Sequence, residues 1–248
     1  MTPQTLSWAV CPACESAVVF RALNRMRRVA CRCCEHRLHA EDLRSIDTKD
    51  WDTIDLPDAL LGAISTLWRS PSVRQQRLLH TTAARLAFGT HHDNLLQSAT
   101  DAAERWADYG QPAVSVDIVR AALIREMSSP DRSLECDRRQ IGLAMLLDPI
   151  HIDLYSFLPD TRSAFAEAIR ELFPNPFLPI AWKPEWFTST VRDLAAHIYD
   201  SRDFAAMPIL ADALQDAGCD DEQVLNHCRA NKPHARGCWV VDAILGKT

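Results

Sequence analysis

Three observations predict a mainly α chain, with a helical body preceded by a small β unit. Apolar residues recur at helical spacing from about residue 57 onward. Only seven of 248 residues are glycine, which disfavours barrels and sandwiches and leaves no Gly-rich loop to cradle a phosphate. Five cysteines crowd into 24 residues near the N-terminus, in a stretch whose other residues suit short strands. A hydrophobic content of 47% supplies an ordinary globular core.

The cysteine cluster comes first in the chain. Cys11-Pro12-Ala13-Cys14 is followed, after sixteen intervening residues, by Cys31-Arg32-Cys33-Cys34. Two residues between thiolates let a tight turn aim both sulfurs at one ion, and two such pairs can supply four thiolates to one tetrahedral Zn²⁺. The expected ligands of one Zn²⁺ per chain are Cys11, Cys14, Cys31 and Cys34; Cys33 is an alternative, and His36 or His39 could substitute. Between the pairs, Val18-Val19-Phe20 suits a strand, Asn24 a turn and Val29 a returning strand. His36 to His39 alternates as a third short strand would. Residues 8–42 resemble a zinc ribbon of the small, finger-like kind found at the N-termini of many bacterial proteins.

Charge is uneven. Residues 1–45 carry seven Arg against Glu15, Glu35, Glu41 and Asp42, a balance of +3, so the remainder carries −9 of the net −6. Arg21, Arg25, Arg27, Arg28 and Arg32 gather on the expected hairpin and its return strand, where they could grip phosphate or a protein partner.

A polar linker is expected over residues 44–55, and helices thereafter. Asp55 and Pro57 open the first, through Leu60, Leu61, Ile64, Leu67 and Trp68, and Ser70-Pro71 breaks it. The second carries Leu78, Leu79, Thr82, Leu86 and Ala87, with Gly89 as its stop. The third runs from about Asp93 to Tyr109, with Ala99, Ala102, Ala103 and Trp106 on one face. A fourth spans about Asp117 to Met127 and a fifth about Leu134 to Leu147. A sixth follows Asp160, with Phe165, Ile169, Leu172 and Phe173 inward.

Residues 174–186 then place four prolines among Phe177, Trp182 and Trp186, which predicts an extended connector lying across the body. The last helices are expected to start at Thr188 or Ser189 and at Asp220 or Asp221. Between them a helix carries Ile209, Leu210, Ala213 and Leu214 to a stop at Gly218, and Trp239–Leu245 closes the chain. The domains so read are 1–45, 56–173 and 174–248.

The segments Asn175-Pro176-Phe177, Pro208 to Cys219 and Arg236-Gly237-Cys238-Trp239-Val240 resemble the C-terminal module of a large paralogous family of uncharacterised bacterial proteins, over roughly residues 172–247. The resemblance implies a shared fold and attaches no activity.

That module holds a second group, Cys219, His227, Cys228, His234 and Cys238, separated by 7, 0, 5 and 3 residues. Those spacings match no metal knuckle, so the expected role is packing for the cysteines and local hydrogen bonding for the histidines. No apolar run reaches the roughly 20 residues of a membrane helix, and no export signal precedes the first cysteines. The functional expectation is a cytoplasmic, zinc-binding, non-enzymatic adaptor that uses the ribbon to dock on a protein partner in a larger complex. No membrane and no nucleotide cofactor are expected. One alternative is a DNA- or RNA-binding component using the Arg-rich hairpin. The other is a metal- or Cys/His-dependent hydrolase using the C-terminal group.

Overall fold

The computed structural model describes residues 6–11, 13, 17–21, 29–30, 37–38, 44–68, 70–88, 94–110, 114–127 and 162–247. Among them the chain is mainly helical and divides into two compact units: Met1–Pro71 with Asn175–Pro179, and Ser72–Pro174 with Ile180–Thr248.

In the first unit, β1 (Leu6–Val10) pairs antiparallel with β2 (Ala17–Arg21), and Val10 stands opposite Ala17. β3 (Val29–Ala30) pairs with β4 (Arg37–Leu38), and β5 (Arg44–Ile46) adds to the other edge of β1, giving the order β2-β1-β5. The turn anticipated between β2 and Val29 lies outside the described residues. β1 carries Leu-Ser-Trp-Ala-Val, and Cys11 follows directly after it. Leu6, Ala9 and Cys11 are buried.

The linker expected at 44–55 is ordered. The Asp47 carboxylate accepts from the Lys49 N–H at 2.8 Å, and the Asp50 carboxylate accepts from the Asp47 N–H at 2.9 Å. This closes a turn ahead of α1 (Asp50–Thr53), whose Trp51 is buried. α2 (Pro57–Leu67) starts with Pro in its first turn, buries Leu60, Ala63 and Ile64, and packs against β2. Asn175 belongs to this unit and donates to the Thr48 carbonyl at 3.2 Å.

In the second unit, α3 (Val73–Phe88) packs against α4 (Asn94–Tyr109) and α6 (Arg162–Leu172), and α4 against α5 (Val114–Met127). Leu78, Ala99, Ala103, Phe165 and Ile169 are buried as the periodicity requires. The helix anticipated over 134–147 lies outside the described residues.

The C-terminal module has its own continuous core. α7 (Ser189–Ser201) starts where the Thr188 hydroxyl accepts the Val191 N–H at 3.3 Å, and it ends at Arg202 in the left-handed region. α8 (Met207–Asp216) buries Met207, Leu210, Ala211 and Leu214, a stripe at i, i+3, i+4 and i+7. Ile209 is 59% exposed, because it falls on the opposite side of that stripe. α9 (Glu222–Arg229) is capped by Asp221, whose carboxylate accepts the Val224 N–H at 3.1 Å. α10 (Trp239–Leu245) follows Cys238 and stops at Gly246. The later part of the Pro-rich connector packs on this core: Trp186 is buried and donates its indole N–H to the Gly218 carbonyl at 3.1 Å, and Trp182 packs edge-on against Trp186 and Trp239. No described helix is long and apolar enough to cross a membrane.

Candidate metal centre

Glu171, His227, His234 and Cys238 converge at one point inside the second unit, their ligating atoms all within 4.8 Å of one another. Each arrives from a different piece of chain. Glu171 sits near the C-terminal end of α6, three residues after buried Ala168, and so turns inward with the apolar face. His227 lies in the last turn of α9. The loop after Pro233 supplies His234, and Gly237, at a φ of 95°, delivers Cys238 to the cap position of α10.

The distances are those of mutual hydrogen-bond or ligand neighbours. His234 Nδ1 is 3.1 Å from each oxygen of Glu171. His227 Nε2 is 3.5 Å from Glu171 Oε2 and 3.2 Å from Cys238 Sγ. Donor atoms at ordinary bond lengths from a tetrahedral Zn²⁺ stand about 3.3–3.5 Å apart, so the spacing leaves room for an ion. The Ala235 N–H also donates to Glu171 at 3.3 Å, and Lys232 Nζ approaches the same carboxylate at 3.7 Å.

The chemistry of His234 supports such an ion. Its side chain is 4% exposed, and its Nε2 is buried without a hydrogen-bond partner among the described residues. If the neutral ring keeps its proton on Nδ1, it donates to Glu171 and leaves Nε2 as a bare buried lone pair. If the proton is on Nε2, that donor is unmatched and the bare Nδ1 faces carboxylate oxygens. Either tautomer leaves a buried group unsatisfied, at a cost of about 1–3 kcal/mol; a cation held at Nε2 would relieve the first case, in which that lone pair is bare. The four residues could therefore hold a metal ion.

Without one, the site is not poised for nucleophilic attack. Burial, with Glu171 nearby, pushes the Cys238 thiol well above its ordinary range. Burial, with Lys232 and His234 nearby, holds His227 well below its own.

Cys219 and Cys228, the other members of the C-terminal group, are buried in the hydrophobic core, as anticipated. Burial raises both thiols, that of Cys228 to about 12. His227 and Cys228 are adjacent on α9 and point about 100° apart, so one turns to the cluster and the other to the core. Sequence spacing missed Glu171. Its one signal was a carboxylate inside the apolar register of α6.

Of the N-terminal candidates, Cys11 is buried beyond β1 and Arg21 ends β2. Cys14, Cys31, Cys33, Cys34, Arg25, Arg27, Arg28, Arg32, His36 and His39 lie outside the described residues.

A second polar cluster braces the unit without converging on a ligand. Arg74 on α3 donates to Asp242 on α10 at 2.5 and 3.1 Å and to Tyr199 at 3.1 Å. Asp108 on α4 accepts from Tyr199 and pairs with Arg74 at 3.4 Å and Arg236 at 3.3 Å. Comparison with protein-family models, with curated proteins and with solved structures finds no match to this chain.

Proposed function

We propose that the protein is a zinc-holding, non-enzymatic interaction protein. In this reading a buried zinc centre built on Glu171, His227, His234 and Cys238 fastens the C-terminal module to α6, and the N-terminal cysteine-rich segment docks on a protein partner. The observation that carries the reading is the burial of this cluster: the side chains of Glu171, His227 and His234 are 3%, 6% and 4% exposed, and Cys238 is fully buried. Imidazole, carboxylate and thiolate together suit Zn²⁺, and structural zinc is enclosed by protein donors whereas catalytic zinc keeps a place open to substrate. The raised Cys238 and lowered His227 argue in the same direction, against a Cys–His hydrolase.

The N-terminal part of the reading rests on sequence alone: two Cys-x2-Cys pairs for a second zinc, and an arginine-rich segment for the partner.

Metal content tests the C-terminal centre. The full-length protein, purified without added metal, is expected to lose one equivalent of zinc on Cys238→Ser, with the N-terminal cysteines intact. Stripping that zinc with a chelator should lower the thermal midpoint by about 10 °C, the shift that roughly 3 kcal/mol produces in a domain of this size. An unchanged zinc content in Cys238→Ser would overturn the reading.

A further inference from the structure

The four residues of the cluster differ in how fully the protein satisfies them. His234 is left with an unmatched buried nitrogen, whereas His227 is complete. Trp239 Nε1 donates to His227 Nδ1 at 3.0 Å, and Lys232 Nζ stands 3.3 Å from the same nitrogen. An indole N–H is a donor only, as is a protonated lysine, so Nδ1 must offer its lone pair to them. A neutral imidazole with a bare Nδ1 carries its proton on Nε2. That N–H points at Cys238 Sγ, 3.2 Å away, with Glu171 Oε2 at 3.5 Å. A nitrogen that bears a proton has no lone pair for a metal. To ligate through Nε2, His227 would have to move its proton to Nδ1, directly against the Trp239 N–H. The ring is also held in place: it lies 4.7 Å from the Trp239 ring and is buried.

We propose that His227 is not a ligand of this centre but the hydrogen-bond donor that positions its Cys238 thiolate, the metal being held by Glu171, His234 and Cys238. This deepens the zinc reading above and rests on it. Glu171 has two oxygens to offer, so three residues can still provide four donor atoms. An N–H directed at a metal-bound thiolate stabilises its charge, and His227 Nε2 stands 3.2 Å from Cys238 Sγ. Trp239 and Lys232 act one step further out, fixing the tautomer that makes His227 a donor.

Two measurements on the full-length protein test this. In the first, zinc content is compared with wild type. His234→Gln and Cys238→Ser should each lose one equivalent. His227→Gln, whose amide can still donate near the Nε2 position, should retain it, and His227→Ala should retain it with affinity lowered about 10- to 100-fold, as loss of an outer-shell partner does. Far-ultraviolet circular dichroism checks that each variant folds. The second measurement needs no variant. The protein is loaded with ¹¹³Cd, and the resonance of the mixed sulfur, nitrogen and oxygen site is examined for coupling to ring protons. Coupling to one histidine, His234, is expected, with His227 showing a protonated Nε2. Coupling to both rings, or loss of a full equivalent in a folded His227→Gln, would overturn the assignment of His227 while leaving the zinc centre standing. No loss of metal in Cys238→Ser would remove the centre itself, and this inference with it.

Discussion

Two single residues show how tightly the interior is determined. Gly237 adopts a φ of 95°, and a Cβ there would meet Leu78 Cδ1 at 2.9 Å and Leu172 Cγ at 3.4 Å. Gly237→Ala therefore adds backbone strain to overpacking and is expected to cost about 2–4 kcal/mol in urea unfolding. It should also weaken metal retention, because this residue delivers Cys238. His80 on α3 is buried against Phe165, with its Nδ1 lacking a partner among the described residues. Burial, with Arg77 nearby, lowers its pKa from 6.5 to about 4. Between those values the unfolded chain takes up a proton that the folded one refuses, so stability falls as pH drops from 6.5 to 4. The full loss is about 3 kcal/mol. His80→Leu should flatten that part of the pH profile of the urea midpoint; an unchanged profile would show that His80 is accessible to protons.

At the scale of elements, α7 and α9 of the C-terminal module begin at side-chain caps. Thr188 and Asp221 each accept the N–H three residues on. Replacing either with Ala should cost about 1 kcal/mol, measured by thermal unfolding, because the first turn then loses a partner for a backbone donor. These two caps were readable from the chain, each as one of an adjacent pair, and so was the stop at Gly218. The inward face of α8 needed the structure: the sequence placed Ile209, Leu210, Ala213 and Leu214 on this helix, and the buried stripe through Met207, Leu210, Ala211 and Leu214 leaves Ile209 on the far side. β1 was missed because five residues of mild alternation beside a cysteine pair carry less signal than the cysteines themselves.

At the scale of the molecule, burial of ionic groups makes the second unit sensitive to single charge deletions. Asp108 serves Arg74, Tyr199 and Arg236 at once, and its side chain is 6% exposed. Asp108→Ala would take the carboxylate partner from buried Arg236 and leave Arg74 with Asp242 alone, and a loss of about 3 kcal/mol is expected by chemical denaturation. The Tyr199 ring lies beneath Arg236 at 4.6 Å and Lys247 at 4.4 Å, so the damage should spread to the end of α10.

The sequence by itself determined the helical class, most helix boundaries in the C-terminal module and the burial of its cysteines, because periodicity, caps and glycine stops act over a few residues. It also marked His227, His234 and Cys238 as a group worth weighing. Their convergence with Glu171 was decided by tertiary structure alone. A knuckle announces itself by spacing because one turn holds both ligands. Here the donors come from the end of α6, the last turn of α9, a loop and the cap of α10, and the distance from 171 to 238 along the chain carries no trace of the few ångströms between them. The tautomer of His227 was beyond the sequence for the same reason: it depends on the Trp239 N–H lying 3.0 Å from one particular ring nitrogen, a relation fixed only once α9 and α10 have packed.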